Sequence, residues 1–111
     1  MTGKYIPIQC VIDAIPEDKR EEHQQTAFAV MQSVTDVRET DETYTLIVPI
    51  TELQHAATWI SWERLCCPFL SFTLQIDPAA EHLAITIGNG ADVKTLLEHE
   101  LLAHVPVYQS S

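Results

Sequence analysis

The chain has 111 residues, the size of one typical domain, so we predict a single domain over residues 1–111. Six Lys and Arg against sixteen Asp and Glu give a net charge of −10. This balance disfavours nucleic acid and anionic membrane surfaces as partners, because both are bound through basic side chains. The sequence contains no apolar run of the ~20 residues that a membrane span needs, and its first residues lack the features of a secretory signal. We therefore expect a cytoplasmic protein with reduced thiols.

The spacing of apolar residues predicts eight helices and strands along the chain. Residues 5–13 alternate with a period of two, which predicts a half-buried strand with Cys10 on its apolar face. Pro16 predicts the first turn of a helix, and Pro68 predicts the end of a later one. The predicted elements are a strand at 5–13, a helix at 16–33, strands at 35–40 and 43–49, a helix at 51–66, strands at 69–77 and around Leu83, Ile85 and Ile87, and a helix at 91–103.

The predicted order is β-α-β-β-α-β-β-α, in which the block of one helix and two strands occurs twice. Short connections between consecutive strands favour antiparallel pairing. We therefore predict an α+β fold: a two-layer sandwich of a mostly antiparallel five-stranded sheet with three helices on one face. The inward side chains are predicted to be Tyr44, Leu46 and Val48, then Leu70, Phe72, Leu74 and Ile76, then Leu83, Ile85 and Ile87.

Three cysteines are the residues that point to chemistry. Cys66 and Cys67 are adjacent at the predicted end of a helix, and Cys10 lies on the first predicted strand. If the helices cover the apolar face of that strand, Cys10 and Cys67 both point into the layer between helices and sheet. Thiolate sets of this kind select copper(I), zinc or other thiophilic species such as mercury(II) or arsenite. The sequence thus predicts a soft-ion site formed by Cys10, Cys66 and Cys67.

Glu63 precedes Cys67 by one helical turn. Its carboxylate can either complete a fourth coordination position or accept a thiol proton. The C-terminal end of a helix is the negative end of its dipole, which raises the pKa of a thiol there. This position argues against a strongly nucleophilic cysteine, and therefore against a catalytic one.

The residues from Trp59 to Ile76 contain the run Glu63-Arg64-Leu65-Cys66-Cys67-Pro68-Phe69. This stretch resembles a group of short bacterial proteins that share a Glu-Arg-x-Cys-Cys-Pro-Phe motif between a helix and a strand. The early strand and residues 90–97 resemble the same group more loosely, and residues 77–80 replace its glycine-rich turn. The group has no activity to transfer, so the resemblance implies a role for Glu63, Cys66 and Cys67 without naming a reaction.

Two other readings of the chain stay open. The protein could be a non-catalytic interaction module that forms a homodimer through a sheet edge or through a face carrying Trp59 and Trp62. It could also be a thiol-dependent redox enzyme, which needs an attacking cysteine and a resolving partner. The histidines are expected at the surface or at the rim of the core; they are His23, His55, His82, His99 and His104.

Overall fold

The structure is a computed structural model that describes residues 11–79 and 81–109. Its regular elements are α1 (Arg20–Ser33), β1 (Asp36–Glu39), β2 (Thr43–Pro49), α2 (Leu53–Cys66), β3 (Ser71–Asp77), β4 (His82–Gly88), α3 (Ala91–Glu100) and α4 (Pro106–Gln109). Short 3-10 turns lie at Ile12–Ala14, Glu17–Lys19, Ile50–Glu52 and Leu102–His104. From α1 to α3 the order of helices and strands agrees with the prediction, and none of the described helices is long and apolar enough to cross a membrane.

The α+β class is confirmed, but the prediction of five strands and three helices is wrong. Within the described residues the sheet has four strands and the chain forms four α-helices. Of the predicted first strand, residues 5–10 lie outside the described residues, and Ile12–Ala14 forms a 3-10 turn. The Val11 N–H donates to the Cys66 carbonyl at 2.6 Å, whereas a strand would pair with the sheet. A short period-two pattern was therefore insufficient evidence for a strand.

The sheet has the order β1-β2-β4-β3, and every neighbouring pair is antiparallel. One face of the two central strands is buried, as the alternating side chains predicted. The buried cross-strand pairs are Tyr44 with Ile87, Leu46 with Ile85, and Val48 with Leu83. These side chains belong to a single hydrophobic core that also includes residues of α1, α2 and α3.

The edge strand β3 differs from its prediction. Leu74 and Ile76 share a face with the buried Ile85 and Leu83 of β4, yet 40% and 51% of their surface is exposed. Only the start of β3 is covered, where the rings of Trp59 and Phe72 meet edge to face with centroids 5.9 Å apart. The alternation in β3 therefore identified a shared face correctly, but the prediction that its whole length is covered is wrong.

Helices α1 and α2 pack against each other, and the turn at Ile12–Ala14 contacts α2. This arrangement brings the first turn of α1 beside the last turn of α2, at the end of which the two cysteines lie. The chain then bends at Cys67 and Pro68, and the Leu70 N–H donates to the Cys67 carbonyl at 3.1 Å. The cysteines are thus held between two helices and the start of β3.

Candidate functional site

The last turn of α2 and the residue after it present one polar and two sulfur-containing side chains to the interior. The buried stripe of this helix consists of Ala56, Trp59, Glu63 and Cys66, at helical spacings of three and four. Cys67 follows the helix with φ −122° and ψ 72°, which are not helical angles. Because the backbone turns at Cys67, its side chain need not follow the direction that a continued helix would give it.

Both cysteines are therefore buried although they are adjacent. Cys66 is 5% exposed and Cys67 is 2% exposed, and both line the same cavity. Two neighbours on an uninterrupted helix lie about 100° apart and would not normally share one narrow face. The end of α2 between these two residues removes that restriction, so the structure directs both thiol-bearing residues to one cavity.

Glu63 connects Cys67 to a histidine of α1. The Cys67 thiol donates to Glu63 Oε2 at 3.4 Å, and His23 Nε2 lies 2.6 Å from Glu63 Oε1. The backbone strengthens the arrangement, since the Cys67 N–H donates to the Glu63 carbonyl at 2.7 Å. Burying a carboxylate is unfavourable unless polar groups face it, and here Oε2 accepts from the Cys67 thiol while Oε1 lies within hydrogen-bond distance of His23 Nε2. The result is a chain of thiol, carboxylate and imidazole that can pass a proton.

His23 is the site residue that the sequence analysis missed. It was expected at the surface or at the rim of the core, but it is only 8% exposed and contacts Glu63 across the interface of α1 and α2. A signal for its burial was present, since His23 precedes the apolar residues Ala27 and Val30 by four and seven positions. Its second ring nitrogen, Nδ1, is buried and has no hydrogen-bond partner among the described residues.

These groups form one side of a cavity of about 470 Å³. The remaining lining is mostly apolar and comes from Ile12, from α1, from the segment after Cys67, and from α3 with the turn that follows it. Its main apolar contributors are Ala27, Phe28, Met31, Phe69, Leu97 and Leu101. The cavity therefore combines a few polar groups with a mostly apolar compartment, a pattern typical of small-molecule sites.

The predicted third thiol, Cys10, lies outside the described residues. Among the described residues, no group of three or more His, Cys, Asp or Glu is arranged to hold a metal ion. The residue after Cys10 in the chain is Val11, whose N–H donates to the Cys66 carbonyl. The described part of the site thus supplies two thiols and a proton acceptor. Val11, the first described residue, lies beside them.

Trp59 is not available as an anchor for a partner. Its side chain is completely buried, and its Nε1 has no hydrogen-bond partner among the residues that the structure describes. Trp62 is partly buried against the core. An exposed tryptophan pair at this helix face is therefore absent.

Comparison of the chain with models of protein families, with curated proteins and with solved structures found no match.

Proposed function

We propose that this protein binds a soft metal ion or a trivalent metalloid through Cys66, Cys67 and Cys10. The observation that supports this most is the hydrogen-bond chain from the Cys67 thiol through Glu63 to His23, beside a cavity that Cys66 also lines. A soft ion binds thiolate, so a thiol must lose its proton when the ion arrives. Glu63 and His23 provide a nearby acceptor for that proton.

The geometry favours the proton-accepting role of Glu63 over a role as metal ligand. Both of its oxygens already have partners, Oε1 with His23 and Oε2 with Cys67. Direct coordination would require one of these contacts to break, whereas proton acceptance uses the Cys67 contact as it stands. We assign coordination to sulfur and proton transfer to the carboxylate and imidazole.

Cys10 is included in the proposal as the third sulfur. Its neighbour Val11 is held to the Cys66 carbonyl at 2.6 Å. Cys10 precedes Val11 in the chain and lies outside the described residues, so its inclusion comes from the sequence. Copper(I) and mercury(II) accept two thiolates, whereas arsenite and zinc need at least one more donor. The proposal also assigns the protein to the cytoplasm, where thiols are kept reduced.

The test is a titration of the purified, phosphine-reduced protein with copper(I), mercury(II), zinc and arsenite. The comparison is between the wild type and the double variant Cys66→Ser/Cys67→Ser, and we expect the double variant to lose stoichiometric binding of all ions that bind the wild type. A separate Cys10→Ser variant should lose arsenite binding and keep mercury(II) binding. Equal binding by the wild type and the double variant would contradict the proposal.

We also propose, as a second candidate, that β3 pairs with β3 of a second copy. This edge strand exposes Leu74 and Ile76, and it has no charged residue between Ser71 and Ile76. Soluble proteins commonly protect free edges with charged side chains, so an uncharged edge is suited to pairing. Antiparallel self-pairing centred on Leu74 places Phe72 opposite Ile76, which keeps the apolar side chains on one face. The net charge of −10 opposes this association, so salt should strengthen it.

Sedimentation at increasing protein and salt concentration tests the dimer. We expect a dimer for the wild type, a monomer for Leu74→Lys, and a dimer for the control Thr73→Gln, which changes the opposite face of the same strand without adding a charge. A wild-type protein that stays monomeric at high concentration and high salt would refute this candidate.

A further inference from the structure

The cavity is much larger than a bare ion requires. Its volume is about 470 Å³, whereas one water molecule takes up about 30 Å³ of liquid and an apolar cavity of about 150 Å³ is sufficient for benzene. A site that serves only an ion is expected to close around it. Here most of the lining besides the cysteines, Glu63 and His23 is apolar, with side chains such as Met31 and Leu97.

The polar groups of the cavity are positioned for a ligand with a reactive centre. His23 has a side chain that is nine-tenths buried, it lines the cavity, and its Nδ1 has no partner among the described residues. A buried nitrogen without a partner is unfavourable unless a ligand or water provides one. The cavity thus offers two thiols, the Glu63 carboxylate, the His23 imidazole and a mostly apolar compartment to a single molecule; Gln24, Glu100 and His104 are its other polar lining residues.

We infer that the ligand is a trivalent arsenical with one apolar organic substituent. This inference rests on the proposed function and specifies its substrate class. Arsenic(III) forms three bonds: two to the sulfurs of Cys66 and Cys67 and one to the organic group, which occupies the apolar compartment. Inorganic arsenite lacks a group for that compartment, and an organomercurial uses only one of the two adjacent thiols.

The binding step balances without an oxidant or a reductant. The hydrated arsenical R–As(OH)₂ reacts with two thiols, so that two As–S bonds form and two As–O bonds break. Each hydroxide leaves with one thiol proton as water, and arsenic and sulfur keep their oxidation states. Glu63 accepts the Cys67 proton through its 3.4 Å contact and passes it to the leaving hydroxide.

Calorimetric titration of the phosphine-reduced wild type with phenylarsine oxide, methylarsine oxide and arsenite tests the inference without any variant. Burial of the phenyl ring predicts that phenylarsine oxide binds about tenfold or more tightly than methylarsine oxide. Equal affinities for the phenyl and methyl compounds would overturn the inference. In that case copper(I) or mercury(II) binding that still depends on Cys66 and Cys67 would leave the proposed function intact.

A cavity-filling variant provides a second test of the inference. Ala27→Phe places a ring in the apolar compartment and should weaken phenylarsine oxide about tenfold while leaving arsenite unchanged. The control is Ala57→Phe, the same substitution at an exposed position of α2 outside the cavity lining. Near-ultraviolet circular dichroism establishes that both variants are folded. Equal phenylarsine oxide affinity for the wild type and a folded Ala27→Phe would place the organic group elsewhere and overturn the inference.

Discussion

His23 Nε2 lies 2.6 Å from Glu63 Oε1, and this contact joins two helices across 40 residues of sequence. Both side chains are about nine-tenths buried, so the pair lies in a medium where an unmatched polar group is costly. The other oxygen of the same carboxylate accepts a hydrogen bond from the Cys67 thiol. The helix interface and the thiol site therefore depend on one side chain.

Replacement of His23 by Leu should strongly destabilise the fold, because it leaves the buried Glu63 carboxylate without its shortest hydrogen bond. Removing one partner of a buried ionisable pair typically costs about 3–5 kcal/mol of unfolding free energy. The matched control is His55→Leu, since His55 forms a 3.1 Å contact with Glu52 but is more than half exposed. The control should change stability by about 0.5 kcal/mol or less. Urea denaturation measures both; similar losses would show that burial of the His23 pair has no energetic consequence.

Replacement of Glu63 by Gln should increase the reactivity of Cys67. The carboxylate lies 3.4 Å from the sulfur, so without a bound ion to offset the charge a thiolate there is disfavoured by repulsion. The amide removes this repulsion, whereas Glu63 acts as proton acceptor only when an arriving ion takes up the charge of the thiolate. We expect alkylation by iodoacetamide near neutral pH to become several-fold faster. The rate is followed by mass spectrometry in a Cys10→Ser/Cys66→Ser background, so that only Cys67 reacts.

The control for this comparison is Glu52→Gln, which removes a carboxylate near the start of α2, away from the cavity lining. It should leave the Cys67 alkylation rate unchanged. A rate that is equal or lower in Glu63→Gln than in the parent would contradict the role of Glu63 as the neighbouring charge.

Stability should fall in alkaline solution partly because of Tyr44. Burial raises the pKa of Tyr44 far above its ordinary value of 10.0, and its hydroxyl donates to Glu98 Oε1 at 2.7 Å. Above pH 10 an unfolded Tyr44 loses its proton while the folded one retains it, so unfolding becomes more favourable as pH rises. The contribution is fully present below pH 10. Urea denaturation across this pH range measures it, and Tyr44→Phe should show a smaller decrease than the wild type; an equal decrease would exclude Tyr44 as a cause.

Gly88→Ala should destabilise the protein more than Gly90→Ala. Both glycines have positive φ, 156° and 107°, so alanine is strained at each position. A Cβ at Gly88 would in addition overlap the Glu42 carbonyl oxygen and lie 2.9 Å from the Thr43 Cα, whereas a Cβ at Gly90 meets nothing within 4 Å. We expect a loss of about 1 kcal/mol at Gly90 and about 2–3 kcal/mol at Gly88. Thermal or urea denaturation measures the loss of unfolding free energy in each variant. Equal losses would indicate that β2 and β4 separate easily at this end.

Much of the local structure was predictable because it depends on periodicity within one segment. The alternation in β2 and β4 correctly identified the buried side chains Tyr44, Leu46 and Val48 and their partners. The same rule was wrong for Leu74 and Ile76, because alternation reports which residues share a face and says nothing about what covers it. The extra predicted strand has the same cause: a period of two near the N-terminus predicts sheet pairing, and the described part of this segment forms a 3-10 turn instead.

For the site, the sequence by itself determined that Glu63, Cys66 and Cys67 lie together at the end of a helix, since helical spacing and Pro68 fix that placement. Only the tertiary structure decided that His23 completes the group and that an apolar cavity adjoins it. Spacing describes neighbours along one helix, whereas the meeting of α1 with α2 depends on how their side chains pack. That packing is a property of the whole core, and no single segment of the sequence encodes it.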